Sequence, residues 1–184
     1  KGETDVTFTV PAADLARSLD LLEGARSKGL ATESWLDGVL AQARIAESLL
    51  HLEQSRVTIE QYIALFSAVK NSLDDECLGY LHGRPLRCGS FALMARSTLG
   101  AKTLAAALQR LSASFTLLQD DLSLVPVSDG LLKGAALDVR CAAGEHSDFL
   151  QGLLLRVFWR LLVWLHGGRM VPRGFDFAFE TPPY

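Results

Sequence analysis

The stretch RPLRCGSFALMARSTLG runs from Arg84 to Gly100. Two arginines flank a proline, and a Cys-Gly-Ser turn leads into a segment whose Phe91, Met94 and Ala95 lie on one face of a helix. Ser90 is well placed to cap that helix, and Gly100 stops it. So much positive charge beside a buried segment fits a phosphate site, an acid-binding pocket or a solvated turn. The elements on either side decide the fold class.

Upstream the period is helical throughout. Leu15, Leu19 and Leu22 mark a first helix that ends near Gly24 or Gly29. Trp35, Leu36, Val39, Leu40 and Ala43 mark a second, with Thr32 or Ser34 as cap, and Leu49, Leu50 and Leu52 a short third. Thr58 and Gln61 form a capping box before Ile59, Tyr62, Ile63, Phe66, Val69 and Leu73, which are expected on one face. Downstream, Thr103 caps a helix carrying Leu104, Leu108, Leu111, Phe115 and Leu118, giving an antiparallel helical pair with its predecessor.

The period then drops to two. Leu122 and Leu124 alternate with Ser123, Asp129-Gly130 supplies a turn, and Leu137 and Val139 alternate with Asp138 and Arg140. Phe175, Phe177 and Phe179 alternate with Asp176, Ala178 and Glu180 as a further strand. Between them, Phe149 to His166 is apolar almost all round. Glu145 and Asp148 suit its start and Gly167-Gly168 its end. The expectation is an α+β chain: mostly helical, with a small antiparallel sheet of about three strands packed on a long apolar helix. Residues 1–180 read as one domain, and 181–184 as the start of a linker.

The totals narrow the function. The 184 residues carry a formal net charge of −3, with 49% hydrophobic and 21% charged residues, the profile of a globular domain that does not itself hold a nucleic-acid backbone. Arg156 and Arg160 sit mid-way along the apolar helix, and each charge there costs roughly 2.5 to 3.5 kcal/mol in a bilayer, so no membrane span is expected. Cys77, Cys88 and Cys141 are an odd number, too few for a disulfide scaffold, and the opening KGETDVTFTV lacks an apolar signal core. A reducing cytoplasm fits both.

No nucleophile elbow, zinc-protease motif or phosphate loop is present, so no enzyme is expected. Asp74, Asp75 and Glu76 read as a solvated helix terminus rather than a catalytic pair. Cys77, His82 and Cys88 match no standard zinc spacing and lack a clear fourth ligand, which only folding could supply from His51, His146 or His166, so neither metal nor other cofactor is expected. Two readings stand for Arg84 and Arg87. Either they hold the turn by bonding carbonyls, Asp74 or Asp75, or they anchor a carboxylate beside the apolar wall of Phe91 and Met94. Arg156 and Arg160 are rival anchors, because charge inside so apolar a helix needs a partner. Phe115, Phe158 and Trp159 complete the candidate wall of a ligand site. Leu153, Leu154, Val157, Phe158, Leu161, Leu162 and Leu165 occupy more than one helix face, which implies two packing partners and makes Trp164, Leu161 and Leu165 candidates for a dimer interface.

The pieces between Arg56 and Phe115 also occur in a familiar order. They are the Tyr62-to-Phe66 helix, the acidic Asp74–Glu76 followed by Leu78-Gly79, the Arg-Pro-Leu-Arg turn, Gly89-Ser90-Phe91-Ala92-Leu93, and the Thr103-Leu104…Ala107-Leu108 helix. This order resembles the N-terminal sensing domain of AraC/XylS-type bacterial transcription regulators, in the arabinose-binding-like subgroup. Cys88 stands where that turn is expected to carry proline. The resemblance implies a domain that senses a small organic effector, pairs as a homodimer, and controls DNA binding through a C-terminal helix-turn-helix domain beyond Tyr184. Composition adds that the effector is an apolar or aromatic acid. The alternative is an oligomerisation module with no small ligand.

Overall fold

Helix α1 (Ala12–Ser27) does not stop at Gly24. It runs through that position, which must be glycine because a neighbouring backbone lies where a side chain would be, and it ends before Gly29, whose φ is +67°. A computed structural model describes residues 12–51, 56–130, 132–140, 147–168 and 170–177. The chain divides into two compact units, residues 1–90 with 141–146, and residues 91–140 with 147–184.

The first unit is helical. Helix α2 (Glu33–Ala43) starts where the Thr32 side chain accepts the Trp35 N–H, and it ends at Arg44 in the left-handed region. A short 3-10 helix follows at Glu47–His51; Leu52 lies outside the described residues. Helix α3 (Ile59–Leu73) has the full capping box of Thr58 and Gln61, satisfying two amide groups that would otherwise lack partners. Its buried stripe is Leu65, Ala68 and Val69. Ile59 and Ile63 are 42% and 57% exposed, so the inward face is rotated from the one the apolar spacing suggested. Packing of α3 on both α1 and α2 selects that face. Trp35 Nε1–H donates to Ser72 Oγ at 3.0 Å, and Gln61 donates to the Arg44 carbonyl at 2.7 Å. Leu21, Leu22, Ala25, Val39, Leu40, Val57, Tyr80 and Leu81 complete this core.

Helix α4 (Ser90–Ser97) begins at Ser90 itself, as its first helical residue. In the second unit, α5 (Leu104–Leu118) is capped by Thr103, whose hydroxyl accepts the Ala106 N–H at 3.1 Å. It buries Ala107, Leu108, Leu111 and Phe115, three of them on the expected stripe. Strands β1 (Leu122–Asp129) and β2 (Leu132–Val139) form an antiparallel hairpin in the register Leu122↔Val139 to Asp129↔Leu132. The inward alternation holds at Leu122, Leu124 and Val139. Helix α5 packs on β1 and helix α6 (Ser147–Leu165) on β2.

Among the described residues the sheet has two strands where about three were expected. Phe175, Asp176 and Phe177 pair with no strand there, and Phe179 lies outside the described residues. At Phe175 the ring instead meets the Trp159 indole edge-on, with centroids 5.5 Å apart. Alternating apolar residues are satisfied by a helix surface as well as by a sheet, so alternation alone could not choose. Helix α6 buries Leu150, Leu154, Phe158 and Leu161 along one stripe, while Arg156, Arg160 and Trp164 mark its exposed side. Its end is closed by the Gly167 and Gly168 N–H groups, which donate to Trp164 and Val163 carbonyls. No helix among the described residues is long and apolar enough to cross a membrane.

Candidate functional site

The three consecutive acids after α3 each hold a different part of the loop that leads to α4. Asp74 ends α3 with φ +47°, which turns the chain out of the helix. Asp75 is only 2% exposed, and its carboxylate accepts three backbone N–H groups, from Cys77, Gly79 and Leu86, each at 2.9 Å. Three donors satisfy a buried charge that would otherwise be prohibitively desolvated. Glu76 accepts the Gly89 N–H at 2.8 Å, while its own N–H donates to the Leu86 carbonyl at 2.7 Å. The solvated terminus expected at these acids is thus only partly right: Asp75 is the buried post around which residues 77–86 are wound.

Arg87 belongs to the same framework. Its Nε–H donates to Asp74 Oδ2 at 2.6 Å, and the Cys88 N–H donates to Asp74 Oδ1 at 3.1 Å. The pair is solvent-exposed, 78% for Arg87 and 47% for Asp74, so it fixes geometry more than it adds stability. The guanidinium hydrogen bond, aided by the Cys88 amide, holds the Asp74 carboxyl below its ordinary pKa of 3.8. Asp74 in turn raises Arg87. A carboxyl lowered by folding stabilises the native state above its unfolded pKa and ceases to do so as pH falls through its native value. Asp74→Asn is therefore expected to lower the melting temperature slightly at neutral pH, and the gap from the wild type to close below about pH 3.8. Melting curves recorded from pH 7 down to pH 2.5 check this.

Arg84 is exposed and takes part in interactions of its own. Cys77 is buried; Cys88 is exposed, with its thiol donating to the Lys70 carbonyl at 3.4 Å. Partial desolvation raises the Cys88 thiol, against the opposing pull of Lys70. Cys141 and His146 lie outside the described residues. Among the described residues no three His, Cys, Asp or Glu side chains are placed to share a metal ion.

In the second unit several candidate wall residues come together. The Phe158 ring lies 5.0 Å edge-on from Phe115 and 6.0 Å from Phe91. Phe115, Phe158 and Met94 are buried, and Phe91 and Trp159 are half-buried. Tilted and edge-on pairs of this kind add roughly 0.5 to 1.5 kcal/mol each beyond burial. Leu161 is buried, Leu165 half-buried and Trp164 exposed. Arg156 and Arg160 lie on the exposed side of α6, and Arg156 has interactions of its own.

No local pattern marks the part played by Arg110. It donates to the Ser97 and Leu99 carbonyls at 3.3 and 3.2 Å, tying the end of α4 to α5. Asp75 was visible only as one acid among three, and burial alone distinguishes it.

The described residues thus place a tightly wired polar loop in one unit, and the aromatic cluster of Phe91, Phe115 and Phe158 in the other. Residues 36–184 match the family described as the arabinose-binding domain of AraC transcription regulators, at the N-terminus. The chain belongs to that family, which points to a ligand-sensing regulatory domain. No curated protein and no solved structure matches it.

Proposed function

We propose that the chain is the effector-sensing domain of a bacterial AraC-type regulator, acting in the cytoplasm by binding alone and without a catalytic step. A small organic effector would shift it between two states, and a DNA-binding domain elsewhere in the full protein would respond. The family match over residues 36–184 carries this reading. The effector is an apolar or aromatic acid, its body against Phe91, Met94, Phe115, Phe158 and Trp159 and its carboxylate on an arginine. Of the candidates, Arg87 is engaged by Asp74, so an acid bound there has to displace that carboxylate. Arg156 and Arg160 share α6 with Phe158 and Trp159.

Calorimetry with a panel of aromatic and aliphatic carboxylates, their amides, and arabinose with related sugars tests this. An acid is expected to bind about ten- to a hundredfold more tightly than its amide, the margin of one charged hydrogen bond. The arginine whose change to alanine removes that margin is the anchor. Equal binding of acids and amides ends the acid assignment, and binding of sugars alone ends the apolar one.

A second reading, an oligomerisation module, is favoured by Trp164, which is 64% exposed on a helix otherwise rich in apolar residues. Large aromatics exposed in this way are common at the centres of protein interfaces. Trp164→Arg is expected to reduce the mass seen by light scattering to that of a monomer, with little change in melting temperature. An unchanged mass removes Trp164 from any interface.

A further inference from the structure

Helix α4 has only eight residues, too few to hold a helix by itself in water. It is bracketed by Gly89 and Gly100, with φ of +96° and +73°, and a Cβ at either would meet nothing within 4 Å. Both flanks are thus conformationally permissive and sterically open. What holds the helix in place is a side-chain fastening at each end. Before it, Glu76 accepts the Gly89 N–H and Asp74 accepts the Cys88 N–H. After it, Arg110 binds the carbonyls of Ser97 and Leu99, and Ser97 Oγ lies 3.3 Å from Ser114 Oγ. On its inner side Phe91 meets Phe158, and Met94 is fully buried; on its outer side Leu93 is exposed.

We propose that α4 is a lid fastened at both ends, and that an apolar effector reaches the Phe115–Phe158 cluster when α4 swings away about Gly89 and Gly100. This rests on the effector-sensing reading above. Phe91 of α4 lies against the Phe158 ring and Met94 of the same helix is fully buried, so moving α4 uncovers that side of the cluster for a ligand of this chemistry. Glu76 and Asp74 fix the Gly89 hinge, while Arg110 and Ser114 hold the far end of α4 through polar groups that water satisfies when the lid is open. Local opening of such an element takes much less free energy than unfolding the core beneath it.

Two measurements on the chain test the motion without any ligand. In a Cys88→Ser background, Met94→Cys places a thiol under the lid, and buried Cys77 reports opening in the other unit. A thiol reagent, with labelled positions identified by peptide mass spectrometry, is expected to modify position 94 at least about tenfold faster than Cys77. Adding Arg110→Gln is expected to speed position 94 by about a further tenfold and leave Cys77 unchanged. Because Met94→Cys perturbs the core, amide exchange on the unsubstituted chain is the second measurement. The amides of 94–97 are expected to exchange by local opening, well ahead of those of 108–115 in α5. Equal labelling of positions 94 and 77, equal exchange of α4 and α5, or no response to Arg110→Gln overturns the lid. A mobile α4 in a chain that binds no member of the carboxylate and sugar panel supports the motion and overturns the effector reading beneath it.

Discussion

Gly24→Ala is expected to destabilise the chain by about 3 kcal/mol or more, a fall of roughly 10 °C in melting temperature for a protein of this size. A Cβ at position 24 would lie 2.3 Å from the Leu78 carbonyl oxygen, 2.7 Å from the Tyr80 ring and 2.8 Å from the Tyr80 nitrogen. Two of these three atoms are backbone, so no side-chain rotation relieves the clash. Helix α1 would have to back away from the 78–80 turn, and the Tyr80 hydroxyl would lose the Asp20 carbonyl it reaches at 2.5 Å. Gly79 faces the same contact from the other side, with φ +84° and a Cβ position 2.9 Å from Gly24 backbone atoms. Gly79→Ala is therefore expected to be as severe. Gly38, inside α2 with open space around it, is the control. There alanine is expected to stabilise by about 0.5 to 1 kcal/mol, through helix propensity alone. Thermal melts of the three variants decide the matter, and a harmless Gly24→Ala would mean that α1 does not cross the turn at backbone contact.

Asp75→Ala carries the second large effect, on the order of 4 kcal/mol. It leaves the N–H groups of Cys77, Gly79 and Leu86 without their acceptor, in a loop where Cys77, Leu78, Tyr80, Leu81 and Leu86 are all buried. Each orphaned donor loses its bond and keeps its desolvation cost. Asp75→Asn is expected to do less harm. Its single oxygen can replace Oδ1, which serves Cys77 and Leu86, but its amide then faces the Gly79 N–H. The expected order of stability in urea is wild type, then Asn, then Ala. Asp74→Asn, on an exposed and screened pair, is expected to lie close to the wild type at neutral pH. If Asp75→Ala and Asp74→Asn proved equally mild, the buried carboxylate would not be what organises the loop.

The local signals in the chain were legible because they act over three or four residues. Thr58 with Gln61, and Thr103 before Leu104, name the starts of α3 and α5, since a side-chain oxygen satisfies an amide three residues on whatever packs nearby. The alternation of Leu122, Leu124, Leu137 and Val139 around Asp129-Gly130 names the hairpin, because a strand's side-chain period is fixed at two. The order of these pieces carried the family as well.

What sequence reading missed depends on partners far along the chain. Ile59 and Ile63 have the right spacing for a core face, yet α1 and α2 dock on Leu65, Ala68 and Val69 instead. Phe175 alternates like a strand residue and packs on Trp159. Gly24, one of the two stops offered for α1, lies inside the helix and is a point of backbone contact with residues 78–80, more than fifty positions away; the helix ends before the other, Gly29. The opening charge pattern divides in the same way. Sequence reading offered carbonyls, Asp74 or Asp75 as partners for the turn arginines; the fold gave Asp74 to Arg87, at 2.6 Å, and kept Asp75 for the backbone. Capping, period and turn chemistry are properties of neighbours in the chain and survive in the sequence. The face a helix buries, the acid a loop winds around and the partner an arginine finds are set by what arrives from elsewhere, because burial and hydrogen bonding depend on distance in space.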